Sequence, residues 1–330
     1  MTAPAAGPVL EVRDLEVAFD TRHGRLRAID GVSFAIHPGE ILGVVGESGA
    51  GKSLTGAAVI GLLEPPGRIV GGEIRLAGRR IDDLPPAQMR ALRGREIGAI
   101  FQDPLTSLNP LLRIGDQIVE TIRTHLPMSD REARAKALEL LVAVGIPAAE
   151  TRIDHYPHQF SGGMRQRVVI ALALCAGPKL IIADEPTTAL DVSIQAQITG
   201  LLKRLCREHR TAVMLVTHDM GVIAETADRV AVMYAGRVVE IGPVDEVIHR
   251  PRHPYSVGLM ASIPSVRHRA ASLRQIDGSM PRLDSMPTGC AFHPRCPRCL
   301  PRCTSERPAL EPAGIARAAC FVAAEAPAHA

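Results

Sequence analysis

The stretch Gly46-Glu47-Ser48-Gly49-Ala50-Gly51-Lys52-Ser53 constrains this chain more than any other. It satisfies the pattern G-x-x-x-x-G-K-[ST]. Ahead of it, Glu40 to Val45 is an apolar run short enough for a buried strand, and behind it Leu54 to Leu63 reads as a helix. That context gives the pattern its chemistry. Glycines let the backbone fold tightly, so that successive N–H groups point inward at phosphate oxygens. The helix N-terminus adds its partial positive charge. Lys52 is then placed to reach the β- and γ-phosphates of a nucleotide, and the Ser53 hydroxyl to hold Mg²⁺.

The 330 residues suffice for one large domain with an appendage. A net charge of +3 supplies no global field for nucleic acid. Met1 to Pro8 has no basic start followed by an apolar stretch, so no secretory signal is expected. The longest apolar run, Val168 to Gly177, falls short of the roughly 20 residues that span a bilayer. Work at a membrane would therefore need other subunits. Cys175 and Cys206 sit in helical patterns and read as core thiols, while five further cysteines crowd between Cys290 and Cys320. Without a secretion signal, such a cluster favours metal over disulfides.

Val9 to Ala18 and Ile29 to Ile36 read as strands, and Gly72 to Leu76 as another. Ile97 to Phe101 is a short apolar strand leading into Gln102. From about residue 105 the texture turns helical: Ile114 to His125, then a helix opened by the capping box Ser129-Asp130-Arg131-Glu132 and closed at Gly145. A helix from about Gly162 to Ala176 follows, then the strand Leu180 to Ala183, the helix Ser193 to His209 and the strand Ala212 to Thr217. Arg229 to Tyr234 and Arg237 to Ile241 are two more short strands. Alternating strands and helices imply an α/β fold with a largely parallel sheet, buried on both faces. Near residue 250 Pro and Arg rise and long periodic segments fade, which sets an expected boundary there.

Leu180-Ile181-Ile182-Ala183-Asp184-Glu185 is an apolar strand ending in two acids. In a phosphate-loop fold Asp184 would stand near Mg²⁺ and Glu185 would polarise the attacking water. Ser161-Gly162-Gly163, opening a helix, makes a second anion site from a hydroxyl and bare N–H groups. One nucleotide loop with two phosphate-binding surfaces fits a head-to-tail dimer that brings them together across an interface.

With these residues in place, the chain resembles the ATP-binding cassette (ABC) ATPases over about residues 9–250. The resemblance implies a P-loop NTPase cassette with a mainly parallel core sheet, an antiparallel β subdomain, a helical insertion at about 105–175, and a small Cys-containing extension over 251–330. Gly46 to Ser53 resembles Walker A. Gln102 resembles the Q-loop glutamine that senses Mg²⁺ and the membrane partner. Ser161-Gly162-Gly163-Met164 resembles the signature, with Phe160 for the usual Leu and Met164 for the usual Gln. Asp184 and Glu185 resemble Walker B and its catalytic glutamate. Ala189-Leu190-Asp191 resembles the D-loop, and His218 the switch histidine at the γ-phosphate. Phe19 falls where the family places an aromatic on adenine; a Phe at a strand end also serves as core. All catalytic positions are present, which implies an active ATPase with ATP and Mg²⁺ held by Ser53, Gln102 and Asp184.

The tail narrows the resemblance. His253-Pro254-Tyr255-Ser256-Val257-Gly258-Leu259-Met260-Ala261-Ser262-Ile263-Pro264, the signature spelling Phe-Ser-Gly-Gly-Met-Arg-Gln-Arg, and Gly289-Cys290-Ala291-Phe292-His293-Pro294-Arg295-Cys296-Pro297 are similar to the peptide/nickel uptake subfamily, in its dipeptide or oligopeptide branch. The cysteine spacing is C-x₅-C-x₆-C-x₁₆-C over Cys290, Cys296, Cys303 and Cys320, with Cys299 as an extra member. Four thiolates can hold a [4Fe–4S] cluster or one Zn²⁺. The broad spacing matches the pattern that binds a cluster in some members; zinc and no metal are the alternatives. Arg267, Arg269, Arg274, Arg282, Arg295, Arg298, Arg302 and Arg307 make the tail basic, which reads first as a solvated surface. The implied partners are two transmembrane permease subunits, a second and different ATP-binding subunit, and an extracytoplasmic solute-binding protein, with no nucleic acid. The implied location is the cytoplasmic face of a bacterial inner membrane. A nickel or other small-solute importer is the alternative within the subfamily. A soluble ABC ATPase would tend to carry two cassettes or a coiled-coil arm, and neither is present.

Overall fold

The computed structural model describes residues 7–22, 24–188, 191–262 and 275–323, and the chain divides into two compact units. The first comprises 76–215 with the N-terminal residues to Leu10 and the piece Ile36–Ile41. Its strands run in the order Ala212–Val216, Leu180–Asp184, Ile97–Ile100. Ile97–Ile100 and Leu180–Asp184 pair in parallel, Ile97 opposite Leu180 and Ile100 opposite Ala183. Leu180, Ile181, Ile182 and Ala183 are all buried, as an apolar run covered on both faces must be.

The helical insertion lies in the same unit. Ile114–His125 buries Ile114, Ile118 and Ile122, and Asp130–Ala143 buries Ala133, Ala137 and Leu141. Each set recurs every fourth residue and so lines one face of its helix. The two helices pack on each other and on Gly162–Leu174. The capping box forms as the sequence indicates: Glu132 accepts from the Ser129 N–H at 2.8 Å, and the Ser129 hydroxyl accepts from the Glu132 N–H at 3.4 Å.

The second unit comprises Glu11–Ala35, Leu42–Arg75 and the described residues from Val216 onward. Its larger set of strands runs Glu311–Ala313, Ala316–Ala318, Arg237–Pro243, Arg229–Tyr234, Ile41–Val45. The last two pair in parallel, Val44 opposite Ala231 and Val45 opposite Val232. Arg229–Tyr234 and Arg237–Pro243 form an antiparallel hairpin. Gly24–Ile36, Leu10–Thr21 and Gly67–Leu76 lie side by side in a separate sheet. The helix Met220–Thr226 has no counterpart in the sequence reading; at seven residues it is too short for a periodic signal, and Asp219 caps it by accepting from the Gly221 N–H at 2.8 Å.

From residue 251 onward the described residues lie in the second unit, together with the strands that precede them. The extension adds strands to the sheet: Ala318 and Arg317 pair antiparallel with Glu240 and Ile241. Glu240 is fully buried in Arg237–Pro243, and burial raises its carboxyl pKa. It accepts from the backbone N–H of Arg252 at 2.8 Å and of His253 at 2.9 Å. His253 caps the helix Pro254–Ala261 through Nδ1, which accepts from the Tyr255 N–H at 3.0 Å. Complete burial pushes its imidazole pKa down to about 3, so it serves as a neutral acceptor. The extension is thus fastened to the strand it follows. Glu240→Ala should lower the free energy of unfolding by about 1–3 kcal/mol, because two buried N–H donors lose their acceptor. Chemical denaturation of E240A beside E240Q checks this: the glutamine, which keeps an acceptor oxygen, should lose less.

Candidate nucleotide site

The phosphate loop begins where Ile41–Val45 runs out. Gly46, Gly49 and Gly51 all have positive φ, at 150°, 82° and 101°. A Cβ on Gly46 would run into the Met233 carbonyl oxygen, so the loop's first residue must be glycine. Gly51 caps the helix Lys52–Val59. That helix starts two residues before the expected Leu54 and stops short of Leu63. A Schellman motif at Gly61 ends it: the Leu62 N–H reaches Ala57 O at 2.8 Å and the Gly61 N–H reaches Ala58 O at 3.1 Å. The Lys52 side chain is buried, and Nζ donates to Gly46 O at 2.8 Å and Glu47 O at 3.1 Å. Ser48, Gly49 and Ser53 are exposed, while Ala50 is buried and its carbonyl accepts from the Gly236 N–H at 3.0 Å.

His218 is exposed in the same unit. The Thr217 N–H donates to Val44 O at 3.2 Å, which sets His218 just past the strand leading into the loop. Phe19, in Leu10–Thr21, is half-buried with its ring close to Gly67.

The other expected residues belong to the first unit. Asp184 ends its strand, and Glu185 follows with φ 48°. A non-glycine residue in this region carries strain of about 1–3 kcal/mol, typical of functional positions. Two side chains hold the Glu185 carboxylate at Oε2: Gln102 Nε2 donates at 3.2 Å and Thr188 Oγ1 at 2.9 Å. Gln102 and Glu185 are therefore brought together across 83 residues. Thr188 escaped the sequence reading, although the spacing Glu185-x-x-Thr188 was there to be noticed.

Ser161 caps Gly162–Leu174, its hydroxyl accepting from the Met164 N–H at 3.3 Å. Ser161 and Gly162 are exposed. A Cβ on Gly163 would stand 2.6 Å from Ile194 Cγ2, so glycine there lets the signature turn approach the helix Val192–His209. Asp191 is the exposed N-cap residue of that helix; Ala189 and Leu190 lie outside the described residues.

Comparison with known proteins decides what these parts compose. The ABC transporter family profile matches residues 29–188, and that of the oligopeptide/dipeptide transporter C-terminal region matches 239–303. The chain is 48% identical over 318 residues to the oligopeptide transport ATP-binding protein OppD of Salmonella typhimurium, covering 96% of this chain and 94% of that one. The chain belongs to the ABC transporter family. It is also 52% identical over 286 residues to OppD of Bacillus subtilis, covering 86% of this chain and 80% of the relative. Among solved structures, the dimeric post-hydrolysis ATP-binding cassette MJ0796 bound to ADP and Pi matches with a TM-score of 0.64 at 30% identity, over 71% of this chain and 98% of that one. As an ABC ATPase the chain binds and hydrolyses ATP.

The cysteines of this ABC subunit are neighbours. The Cys290 N–H donates to Cys303 O at 2.9 Å. Burial raises the Cys290 pKa, and the nearby Cys303 and Cys320 add to the rise. Burial, then Cys320 and Cys290, pushes Cys296 up to about 11. Cys320 is raised by burial and by Cys303. Among the described residues, however, no three His, Cys, Asp or Glu side chains form a group that could hold a metal ion. The expected ligands Cys290, Cys296, Cys303 and Cys320 thus gather without closing into a metal cage. The tail arginines Arg267, Arg269 and Arg274 lie outside the described residues. One other is not solvated as expected: Arg295 is bound to the phosphate loop itself, while Arg307 is exposed and pairs with Asp30 at 2.8 Å.

Gly46→Ala should weaken ATP binding by about tenfold or more, since 1.4 kcal/mol of loop displacement suffices. Equilibrium titration with MgATP checks this, with a circular-dichroism spectrum to confirm that the variant is folded.

Proposed function

We propose that this chain is the ATP-hydrolysing subunit of an importer for dipeptides or oligopeptides. The loop N–H groups from Gly46 to Gly51 and Lys52 cradle the β- and γ-phosphates, and Ser53, Asp184 and Gln102 hold Mg²⁺. Glu185 polarises the attacking water, with Gln102 and Thr188 fixing its carboxylate. His218 contacts the γ-phosphate and Phe19 stacks on adenine. Ser161, Gly162, Gly163 and Asp191 serve the nucleotide of a second ATP-binding subunit, whose own signature completes the site at Lys52. ATP then closes a head-to-tail pair, and hydrolysis opens it. The observation that carries this reading is the Gln102–Glu185 contact, which ties the residue expected to polarise water to the segment that enters the helical insertion.

Two permease subunits would take up that motion. No helix among the described residues is long and apolar enough to cross a membrane, so the proposed place is peripheral, on the cytoplasmic face, with an extracytoplasmic solute-binding protein delivering peptide. Support for a docking face comes from the insertion, where Leu111 is 82% exposed beside a groove lined by Thr106, Leu108, Asn109 and Gln117. Peptide as cargo is supported by the relatives, which are oligopeptide transport ATP-binding proteins.

The four thiols of Cys290, Cys296, Cys303 and Cys320 fit a [4Fe–4S] cluster in number and donor type. The cluster's contribution would be to cross-link a Pro-rich tail.

In the assembled transporter, Glu185→Gln should keep ATP binding while turnover at this site falls by about 10²–10⁴-fold, the range for a positioned acid–base group. Peptide presented by the receptor should stimulate the wild-type ATPase, and stimulation by nickel alone would reassign the cargo. Subunit purified without oxygen should contain about four iron atoms per chain; zinc or no metal in elemental analysis would remove the cluster.

A further inference from the structure

Glu47 is the second residue of the phosphate loop, and the C-terminal extension holds it from two sides. The Arg295 guanidinium forks onto its carboxylate, Nη1 to Oε2 at 2.9 Å and Nη2 to Oε1 at 3.1 Å. The Arg295 side chain is only 8% exposed. Its Nε donates to Asp277 O at 2.8 Å, and its remaining reach goes to Ile276 O at 3.3 Å and to the Tyr234 hydroxyl at 3.4 Å. The guanidinium lies over Tyr234 and Phe292, 5.8 and 6.0 Å from the ring centroids. Burial opposes its charge, yet the Glu47 hydrogen bonds raise its pKa above the ordinary value. The second hold is on the backbone: the Glu47 N–H donates to the Tyr255 hydroxyl at 2.8 Å. Tyr255 is fully buried, its ring 4.7 Å from Tyr234 and 5.4 Å from Phe292.

A carboxylate in a loop that receives a polyanion is an electrostatic handicap. Like charges repel with a strength that grows as water is excluded. A bidentate arginine is the group best suited to neutralise it in fixed geometry. We propose that Arg295 is a positioning residue of the phosphate loop, cancelling the Glu47 charge so that the loop accepts triphosphate, and that Tyr255 fixes the same residue through its N–H. This rests on the reading of Gly46 to Ser53 as the ATP loop. The extension is then part of the nucleotide site although none of its side chains need touch the nucleotide.

The two holds leave different signatures. Losing Arg295 exposes a charge, so the penalty should grow with the charge of the ligand. Losing the Tyr255 hydroxyl frees a backbone N–H, so ATP and ADP should suffer alike. The test is equilibrium binding of MgATP and MgADP to the full-length subunit in its assembled complex, at two salt concentrations. R295M should weaken MgATP about tenfold and MgADP by less, with the gap shrinking at high salt. E47Q placed in the R295M background should restore most of the lost affinity. Y255F should weaken both nucleotides by a similar, smaller factor. Wild-type affinity in R295M, or a double variant E47Q/R295M no better than R295M, overturns the proposal, since Arg295 would then only pack. If R295M does not fold, R295Q takes its place: it removes the charge but keeps a polar side chain, and an affinity equal to wild type again overturns the proposal. A wild-type complex that binds no ATP, like the control K52A, would instead sink the reading of the loop.

Discussion

Everything at the nucleotide loop depends on one parallel pairing. Val44 and Val45 lie opposite Ala231 and Val232, so the strand Arg229–Tyr234 runs on two residues beside the start of the loop. The carbonyl of Met233 then stands where a side chain on Gly46 would go, and Gly236, just past the strand, donates to Ala50. The loop is therefore moulded by a neighbouring strand nearly two hundred residues away in sequence. Its glycines answer a wall as much as a ligand.

The cassette was legible because its chemistry is local. Gly46 to Ser53, Ser161 to Gly163, and Asp184-Glu185 each pack their function into eight residues or fewer, and their flanking apolar runs fix strand or helix. The capping box at Ser129 was read correctly for the same reason, since both partners sit within one turn. What escaped was non-local or too short to carry a period. The hairpin Glu311–Ala318 has three-residue strands made of Ala, Pro, Arg and Glu, without alternation, and Pro312 argues against a strand altogether. Arg295 looked like one basic residue among eight. Only the fold reveals that its partner lies 248 positions earlier.

The same contrast explains the division near residue 250. Composition changes there because the extension is held by polar fastenings and by pairing rather than by a large apolar core. Glu240, His253 and Arg295 do the fastening. None belongs to a residue type that sequence patterning assigns to an interior. Buried polar groups of this kind are tolerated only when nearly all their bonds are made, so the tail has little freedom in where it docks.

The extension also bears on how the protein behaves in a crowd. Without it, Arg237–Pro243 would be the border of its sheet, a seven-residue strand with unpaired backbone groups. Such a border is a template for another chain. Instead the outermost strand is Glu311–Ala313, three residues long, with a charge at one end and a proline that cannot donate at its centre. The border has been moved to a place where a stray strand finds little to grip, so the tail is a safeguard against edge-to-edge aggregation as well as a brace for the loop.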